Sequence, residues 1–190
     1  MSKSDEFAGV YDPHVWHDVA IWMDCVHDAA AALADFDPEH ADDYRANAAE
    51  YEKELVELDK YVRAAVATIP EQRRMLVTAH DAFGYFGASY GIEVHGLKGV
   101  SSEDEIDLAH HEQLQELLVG RKIPAVFVES SIAPRSIESL IETCRAAGHE
   151  VSLGGELYAD VLAEKGEPGE TYAGMIRHNV DTIVAALNGQ

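Results

Sequence analysis

MLVTAHDAFGYFGASYG, residues 75–91, passes from an apolar run through a histidine and an aspartate into a segment rich in aromatic residues and glycine. The same alternation of short apolar runs with helical patterns of about ten to seventeen residues continues to the end of the chain. Strands that alternate with helices of this length are typical of βαβ units. From residue 70 onward, the sequence therefore predicts an α/β fold in which helices flank a parallel sheet.

Helices are also predicted ahead of that sheet. Apolar residues recur at helical spacing from 15 to about 33, and Asp12, which stands before a proline, supplies a plausible start for this helix. A second, strongly charged pattern runs from 39 to about 69, and at 1.5 Å per residue it spans about 45 Å. A small domain does not need a helix of this length, so we expect it to form a backbone between two lobes.

The chain is strongly acidic. Its 35 Asp and Glu residues outnumber the 14 Lys and Arg residues and give a formal net charge of -21. Such an excess repels polyanions, so we predict no nucleic-acid partner. We interpret most of the acidic residues as a solvated, salt-adapted surface.

Cysteines and apolar runs bear on the cellular compartment. Cys25 and Cys144 lie far apart in helical patterns, which predicts two buried free thiols rather than a disulfide. No apolar run approaches the roughly 18 residues that span a bilayer. The first residues lack the apolar core of a signal peptide, so we expect no export signal in the chain as given.

Polar residues stand where the predicted strands end. His80 ends the first strand, Glu129 ends AVFV, Asp160 follows SLGGELYA, and His14 lies in DPHVW before the first helix. Ligands of open parallel sheets bind beyond the carboxyl ends of the strands. Each residue also has a structural explanation, because a histidine can bond to a nearby carbonyl and an acid can cap a turn or a helix. The spacing matches no metal motif, so the residues alone leave a metal site as one hypothesis.

The remaining histidines are weaker candidates. His110 and His111 are adjacent and project about 100° apart on a helix, so they do not readily share an ion. The histidines that we interpret as solvated are His17, His27, His40, His95, His149 and His178. The sequence contains no nucleophile elbow, P-loop or dinucleotide fingerprint, so it predicts no enzyme nucleophile.

Several segments together resemble one protein family. DPHVWHDV, LVTAHDAFGYFGASYGIEVHGLKGVSS, AVFVESSI and GGELYADVLAEKGEPGETYAGMIRHNVDTIVAAL are similar, in order, to segments of the TroA-like solute-binding proteins. These proteins serve ABC importers for zinc, manganese and iron. The resemblance implies two α/β lobes joined by a long rigid helix, with one metal ion in the cleft held by four side chains, two from each lobe.

The resemblance implies roles for particular residues. His14 matches the second histidine ligand of the N-terminal lobe, His80 matches the first ligand of the C-terminal lobe, and Asp160 matches the last ligand. Glu129 matches a recurrent residue that we expect to contact a ligand rather than the metal. Two imidazoles and a carboxylate suit zinc, manganese or ferrous iron. The implied partner is an ABC permease in the membrane, and the implied location is extracytoplasmic, at the cell surface or in the periplasm.

The family's first histidine ligand lies in a lobe that would precede DPHVW, and only eleven residues stand before that motif. We therefore expect the chain to lack most of the N-terminal lobe, and we divide it into a remnant of that lobe at 1–38, a linking helix at 39–69 and a metal-binding lobe at 70–190. The linking helix should then leave Tyr44, Tyr51 and Leu55 as exposed apolar surface.

Three functions remain open on this basis. The first, which we favour, is capture of a divalent metal and delivery to an importer. The second is a metal-dependent enzyme that activates water on His14, His80 and Asp160 with Glu129 as the base. The third is a truncated fragment with little metal binding that acts as an interaction or adhesin-like protein.

Overall fold

The computed structural model describes residues 11–101 and 107–189, so the expectation about an export signal, which concerns the first residues, lies largely outside the described part. The helices are α1 (Val19–Phe36), α2 (Ala41–Ala67), α3 (Gly84–Tyr90), α4 (Leu108–Arg121), α5 (Arg135–Ala146) and α6 (Tyr172–Asn188). The strands are β1 (Met75–His80), β2 (Glu93–Lys98), β3 (Ala125–Glu129) and β4 (Ser152–Leu157). Short 3-10 turns lie at Val15–His17, Pro38–His40 and Glu71–Arg73.

The described strands pair in parallel. β1 pairs with β2, with His80 beside Lys98, and β3 pairs with β4, with Glu129 beside Leu157. The two ladders lie side by side because β1 contacts β3. This order brings the carboxyl ends of β1, β3 and β4 to one edge, and the predicted α/β fold with a parallel sheet flanked by helices is confirmed.

The two central strands are buried along their whole length. Every residue of β1 and β3 is buried, which explains why both read as apolar runs rather than as alternating patterns. Residues 75–91 form β1, a turn and α3. Phe83 and Phe86 of this segment are among the largest fully buried side chains. Gly91 caps the end of α3, and its φ of 72° favours glycine.

The long helix α2 packs on both α1 and α6. Its buried stripe consists of Ala48, Leu55, Leu58, Val62 and Val66. The expectation that Leu55 is exposed is therefore wrong, because neighbouring helices cover that face and leave it 0% accessible. No helix within the described ranges is both long and apolar enough to cross a membrane.

Two further details differ from the sequence predictions. Residues 15–17 form a 3-10 turn, and α1 begins only at Val19, where the Asp18 side chain accepts a hydrogen bond from the Ala20 amide at 2.8 Å. Asp12 therefore does not start this helix. Cys144 is buried as predicted, but Cys25 is only partly buried, and both thiols are free.

Candidate metal site

His14, His80 and Asp160 converge at the carboxyl edge of the sheet. One potential ligand atom from each lies within 4.8 Å of those of the other two. The Nε2 atom of His14 is 3.3 Å from one Asp160 oxygen, and the Nε2 atom of His80 is 3.5 Å from the other. Both imidazoles are buried, whereas the Asp160 side chain is 33% exposed. The exposed carboxylate therefore forms the solvent side of the cluster.

The two imidazole rings are arranged to face one point. Their centroids are 5.4 Å apart and their planes are inclined by 71°. His14 comes from the segment before the 3-10 turn at 15–17, His80 is the last residue of β1, and Asp160 follows β4. The fold thus assembles three donors that are far apart in the chain. Among the described residues this is the one group of histidine, cysteine or acidic side chains with such convergence.

A carboxylate holds the outer nitrogen of each imidazole. The Oδ1 atom of Asp12 accepts hydrogen bonds from Nδ1 of His14 at 2.7 Å and from its backbone N–H at 2.9 Å. Glu129 makes an ion-pair contact with Nδ1 of His80, and its Oε1 accepts the His80 backbone N–H at 3.0 Å. A carboxylate at Nδ1 favours the proton there and leaves the Nε2 lone pair free to bind a metal.

Glu129 lies against His80, as expected for a residue that contacts a ligand rather than the metal. Glu129 is buried, and its contacts are with His80 rather than with the amides of the Ser130–Ser131 turn, since the Ser130 amide donates to Leu157. Both of its oxygens face His80 on the side away from Nε2. This position suits a residue that orients a ligand, and it does not suit a base that must reach water on the metal.

Asp12 is the residue of this cluster that the sequence reasoning missed. The sequence pattern predicts a helix start at Asp12, but its carboxylate binds His14 two residues later, and its carbonyl accepts a hydrogen bond from the Tyr85 hydroxyl at 3.4 Å. The local signal was present, because an aspartate commonly accepts from the backbone N–H two residues on. The D-x-H spacing could therefore have identified Asp12 as a partner of His14.

The pKa of His80 is raised above its ordinary value. Burial alone would lower this pKa, but the Glu129 carboxylate and then Asp160 raise it by more than burial lowers it. A protonated imidazole cannot bind a metal, so protons should compete with metal at a higher pH than they would at an unperturbed histidine.

His17 is also buried in the site, which corrects the prediction of a solvated side chain. Its ring stacks on Phe83 with centroids 4.3 Å apart, and its Nε2 donates to the Ala159 carbonyl at 3.2 Å. Burial lowers the pKa of His17 to about 3, with a further lowering from His14. The ring is therefore neutral at neutral pH, and the acceptor at Nε2 places its one proton there.

Five of the other histidines have partners outside the cluster. His27, His40 and His95 pair with acidic neighbours at or near the surface. His149 donates to the Ile123 carbonyl at 2.8 Å, and His178 donates to the Glu156 carbonyl at 3.0 Å. Each of these five has a partner that accounts for its position without a metal.

Comparison with protein families identifies one match over most of the chain. The family model described as "ZnuA: Zinc-uptake complex component A periplasmic" matches residues 2–186. Among curated proteins, the manganese-binding lipoprotein MntA of Bacillus subtilis is 46% identical over 177 residues, and the zinc-binding protein TroA of Treponema pallidum is 44% identical over 177 residues. Each alignment covers 93% of this chain and 58% of the relative, so the chain spans a little over half the length of these proteins.

Solved structures show the same similarity. The periplasmic zinc-binding protein TroA from Treponema pallidum superposes with a TM-score of 0.91 at 42% identity. That superposition covers 97% of this chain and 66% of the TroA chain. A second TroA structure, from work on its metal-binding specificity, gives a TM-score of 0.91 at 32% identity and covers 98% of this chain and 69% of the other.

Proposed function

This chain belongs to the ZnuA/TroA-like family of periplasmic metal-binding proteins, and from that premise we propose that it binds a divalent transition metal and delivers it to an ABC importer. The observation that carries the proposal is the convergence of His14, His80 and Asp160, with each imidazole held at Nδ1 by a carboxylate. Imidazoles oriented in this way are typical of metal ligands.

In this proposal the metal is the cargo, and Nε2 of each imidazole and the carboxylate of Asp160 bind it. Asp12 and Glu129 keep the Nδ1 protons in place, so each ring offers its lone pair without having to change tautomer. Two neutral nitrogens and one carboxylate suit zinc, manganese or ferrous iron, and neither cysteine belongs to this group of three to favour a softer ion. The names of MntA and TroA support manganese and zinc as the first ions to test.

The three proposed ligands differ in burial, and this difference supports a particular route by which the metal enters and leaves. Both imidazoles are buried, but Asp160 is one-third exposed and lies outside the regular strand β4. We expect the metal to enter and leave past Asp160 while the imidazoles stay in place. The helix α2 has 27 residues, or about 40 Å at 1.5 Å per residue, and its packing on α1 and α6 disfavours a wide hinge motion.

Delivery and location are part of the same proposal. Relatives are named as lipoproteins and as a periplasmic component, which supports an extracytoplasmic location and an ABC permease as the partner. The division into a remnant of an N-terminal lobe at 1–38, a linking helix at 39–69 and a metal-binding lobe at 70–190 also stays a prediction. The net charge of -21 is compatible with cation capture, because a negative field raises the local cation concentration.

Isothermal titration of the chain with Zn²⁺ and with Mn²⁺ tests the proposal. We expect one ion per chain with at least one of the two metals, and much weaker binding in His80→Ala and Asp160→Ala. His27→Ala is the matched control, because His27 is an exposed histidine paired with Glu52. A chain that keeps its fold by circular dichroism and binds neither ion would instead favour the interaction or adhesin-like alternative.

A further inference from the structure

Asp160 follows β4 in a segment without regular secondary structure, yet the residues just before it are firmly held. The Tyr158 backbone N–H donates to Oδ1 of Asn179 at 2.9 Å, and Nδ2 of Asn179 donates to the Tyr158 carbonyl at 2.8 Å. Asn179 lies on α6 and is 2% exposed. One buried amide thus replaces both hydrogen bonds that a neighbouring strand would provide at Tyr158.

The next residue, Ala159, is held from the opposite side. Its carbonyl oxygen accepts hydrogen bonds from the Trp16 indole N–H at 2.9 Å and from Nε2 of His17 at 3.2 Å. Both donors belong to the 3-10 turn that follows His14 directly. The turn is anchored in its own right, because the Tyr172 hydroxyl donates to the Trp16 carbonyl at 2.8 Å.

These contacts link two ligands of the proposed metal site. The turn that begins after His14 carries the two donors that hold the residue before Asp160. The backbone that leads into Asp160 is therefore fixed relative to the turn after His14 by protein hydrogen bonds, not only by a metal that both ligands would bind. A ligand that is held in place before binding loses less conformational freedom when the metal arrives.

We propose that Trp16, His17 and Asn179 are positioning residues that fix the Asp160 carboxylate opposite the two imidazoles before a metal binds. This proposal rests on the metal-binding function proposed above. None of the three side chains is itself a proposed ligand, and each acts through the backbone of Tyr158 or Ala159.

The surroundings of His17 help to distinguish a positioning role from simple packing. A phenylalanine would stack on Phe83 as an imidazole does, and it would bring no polar atoms into a buried place. His17 is 1% exposed, and its Nδ1 finds no hydrogen-bond partner among the described residues. Burying a polar atom without a partner is unfavourable. The bond from Nε2 to Ala159 is the contact that an imidazole makes and a phenyl ring cannot.

Two substitutions of His17 distinguish a positioning role from a packing role, because the two roles predict opposite orders of Zn²⁺ affinity for the two variants. His17→Phe keeps the aromatic ring and loses the donor, whereas His17→Gln loses the ring and keeps an N–H donor of similar reach. If His17 positions Asp160, Zn²⁺ affinity by titration calorimetry should fall about tenfold in His17→Phe and largely recover in His17→Gln, the range typical of groups that orient metal ligands. If His17 only fills space, the order of the two variants reverses.

A matched control removes the same kind of bond elsewhere. His149 donates through Nε2 to the Ile123 carbonyl at the opposite edge of the sheet, so His149→Phe should bind Zn²⁺ as tightly as the wild type. Trp16→Phe removes the second donor and should also weaken binding several-fold. Hydrogen exchange of the metal-free chain should show faster exchange of the amides at 158–160 in His17→Phe, without faster exchange throughout the core.

The outcomes separate this proposal from the proposed function. If the wild type binds no Zn²⁺ or Mn²⁺, the metal-binding function itself fails. If the wild type binds and His17→Phe binds equally well, the positioning role is overturned while the function stands. Equal weakening in His17→Phe and His17→Gln, or faster exchange over the whole chain, would show a general structural role and would also overturn it.

Discussion

The two edges of the parallel sheet use the same residue type in different ways. At the amino edge, His149 donates to the Ile123 carbonyl and the Ser152 hydroxyl donates to the Pro124 carbonyl, so both polar side chains form hydrogen bonds with the backbone. At the carboxyl edge, His80 has a carboxylate at each ring nitrogen, Glu129 at Nδ1 and Asp160 at 3.5 Å from Nε2. The His149 ring is used up in a backbone hydrogen bond, whereas the Nε2 atom of His80 faces a half-open group of polar side chains that a cation could join once that nitrogen is unprotonated.

Loss of the His80 side chain at the carboxyl edge should have the largest effect on Zn²⁺ affinity and stability. His80→Ala deletes a proposed ligand and leaves the Glu129 carboxylate buried without its partner, so both binding and stability should fall. We expect Zn²⁺ affinity to drop by roughly 1000-fold, well beyond the effect of losing a group that only orients a ligand. We also expect the free energy of unfolding to drop by about 3 kcal/mol.

Titration calorimetry and urea unfolding of the metal-free chain measure these two effects. His149→Ala serves as the control from the amino edge, where we expect some loss of stability and unchanged Zn²⁺ affinity. If both substitutions weakened Zn²⁺ binding alike, the difference between the two edges would disappear.

Asp160→Ala should separate binding from stability. Its side chain is 33% exposed, so little buried contact is lost and the melting temperature of the metal-free chain should stay nearly constant. Zn²⁺ affinity should fall roughly 100-fold, because two imidazoles remain to hold the ion. A large fall in melting temperature together with an unchanged affinity would place Asp160 with the structural residues instead.

Asp12→Asn should have a smaller effect. An asparagine can still accept from His14 through its amide oxygen, but it loses the negative charge that favours the proton on Nδ1. We expect Zn²⁺ affinity to fall about tenfold, with a change in unfolding free energy of about 1 kcal/mol. Competition with a zinc-sensitive dye is sufficient to measure this difference, and a value equal to the wild type would deny Asp12 an orienting role.

His17 should affect the pH dependence of stability. Burial lowers its pKa to about 3 in the folded chain, whereas in the unfolded chain it returns to about 6.5. Between these values the unfolded state binds a proton that the folded state does not, so this residue makes unfolding easier as the pH falls from about 6.5 toward 3. Above about 6.5 the ring is neutral in both states and adds no pH dependence.

His17→Phe should therefore remove part of the acid sensitivity of the metal-free chain. The informative quantity is the difference between the unfolding free energies of variant and wild type, measured in urea at several pH values. That difference should shift in favour of the variant as the pH is lowered through 6. A constant difference over this range would mean that His17 titrates alike in the folded and unfolded chain.

Much of the carboxyl edge could be anticipated from the sequence. The apolar runs identified β1 and β3, and the rule that ligands bind beyond the carboxyl ends of parallel strands singled out His80, Glu129 and Asp160. His14 could be singled out, but its spacing gave no reason to join it to the other three, and only the family resemblance suggested a shared site. The structure brings His14, His80 and Asp160 together, and their role as ligands stays a prediction.

Two of the three errors share one physical cause. Asp12, His17 and Leu55 each fit a local pattern that suggested a helix start, a solvated ring and an exposed apolar side chain, respectively. The partner of Asp12 is the nearby His14, but His17 and Leu55 are determined by partners that are distant in sequence, such as Ala159 for His17. Local periodicity carries no information about which distant segment will cover a residue.

The order of residues by itself determined which helices and strands form and roughly where they lie, because helix and strand periods and the apolar runs are local properties. It also placed His80, Glu129 and Asp160 at the carboxyl edge. Only the tertiary structure decided which of those side chains face one another and which are held by a neighbour. The ion-pair contact of Glu129 with His80 and the hold of Trp16 on Ala159 join residues far apart in the chain. Such contacts exist only once the sheet, α6 and the turn after His14 have packed together.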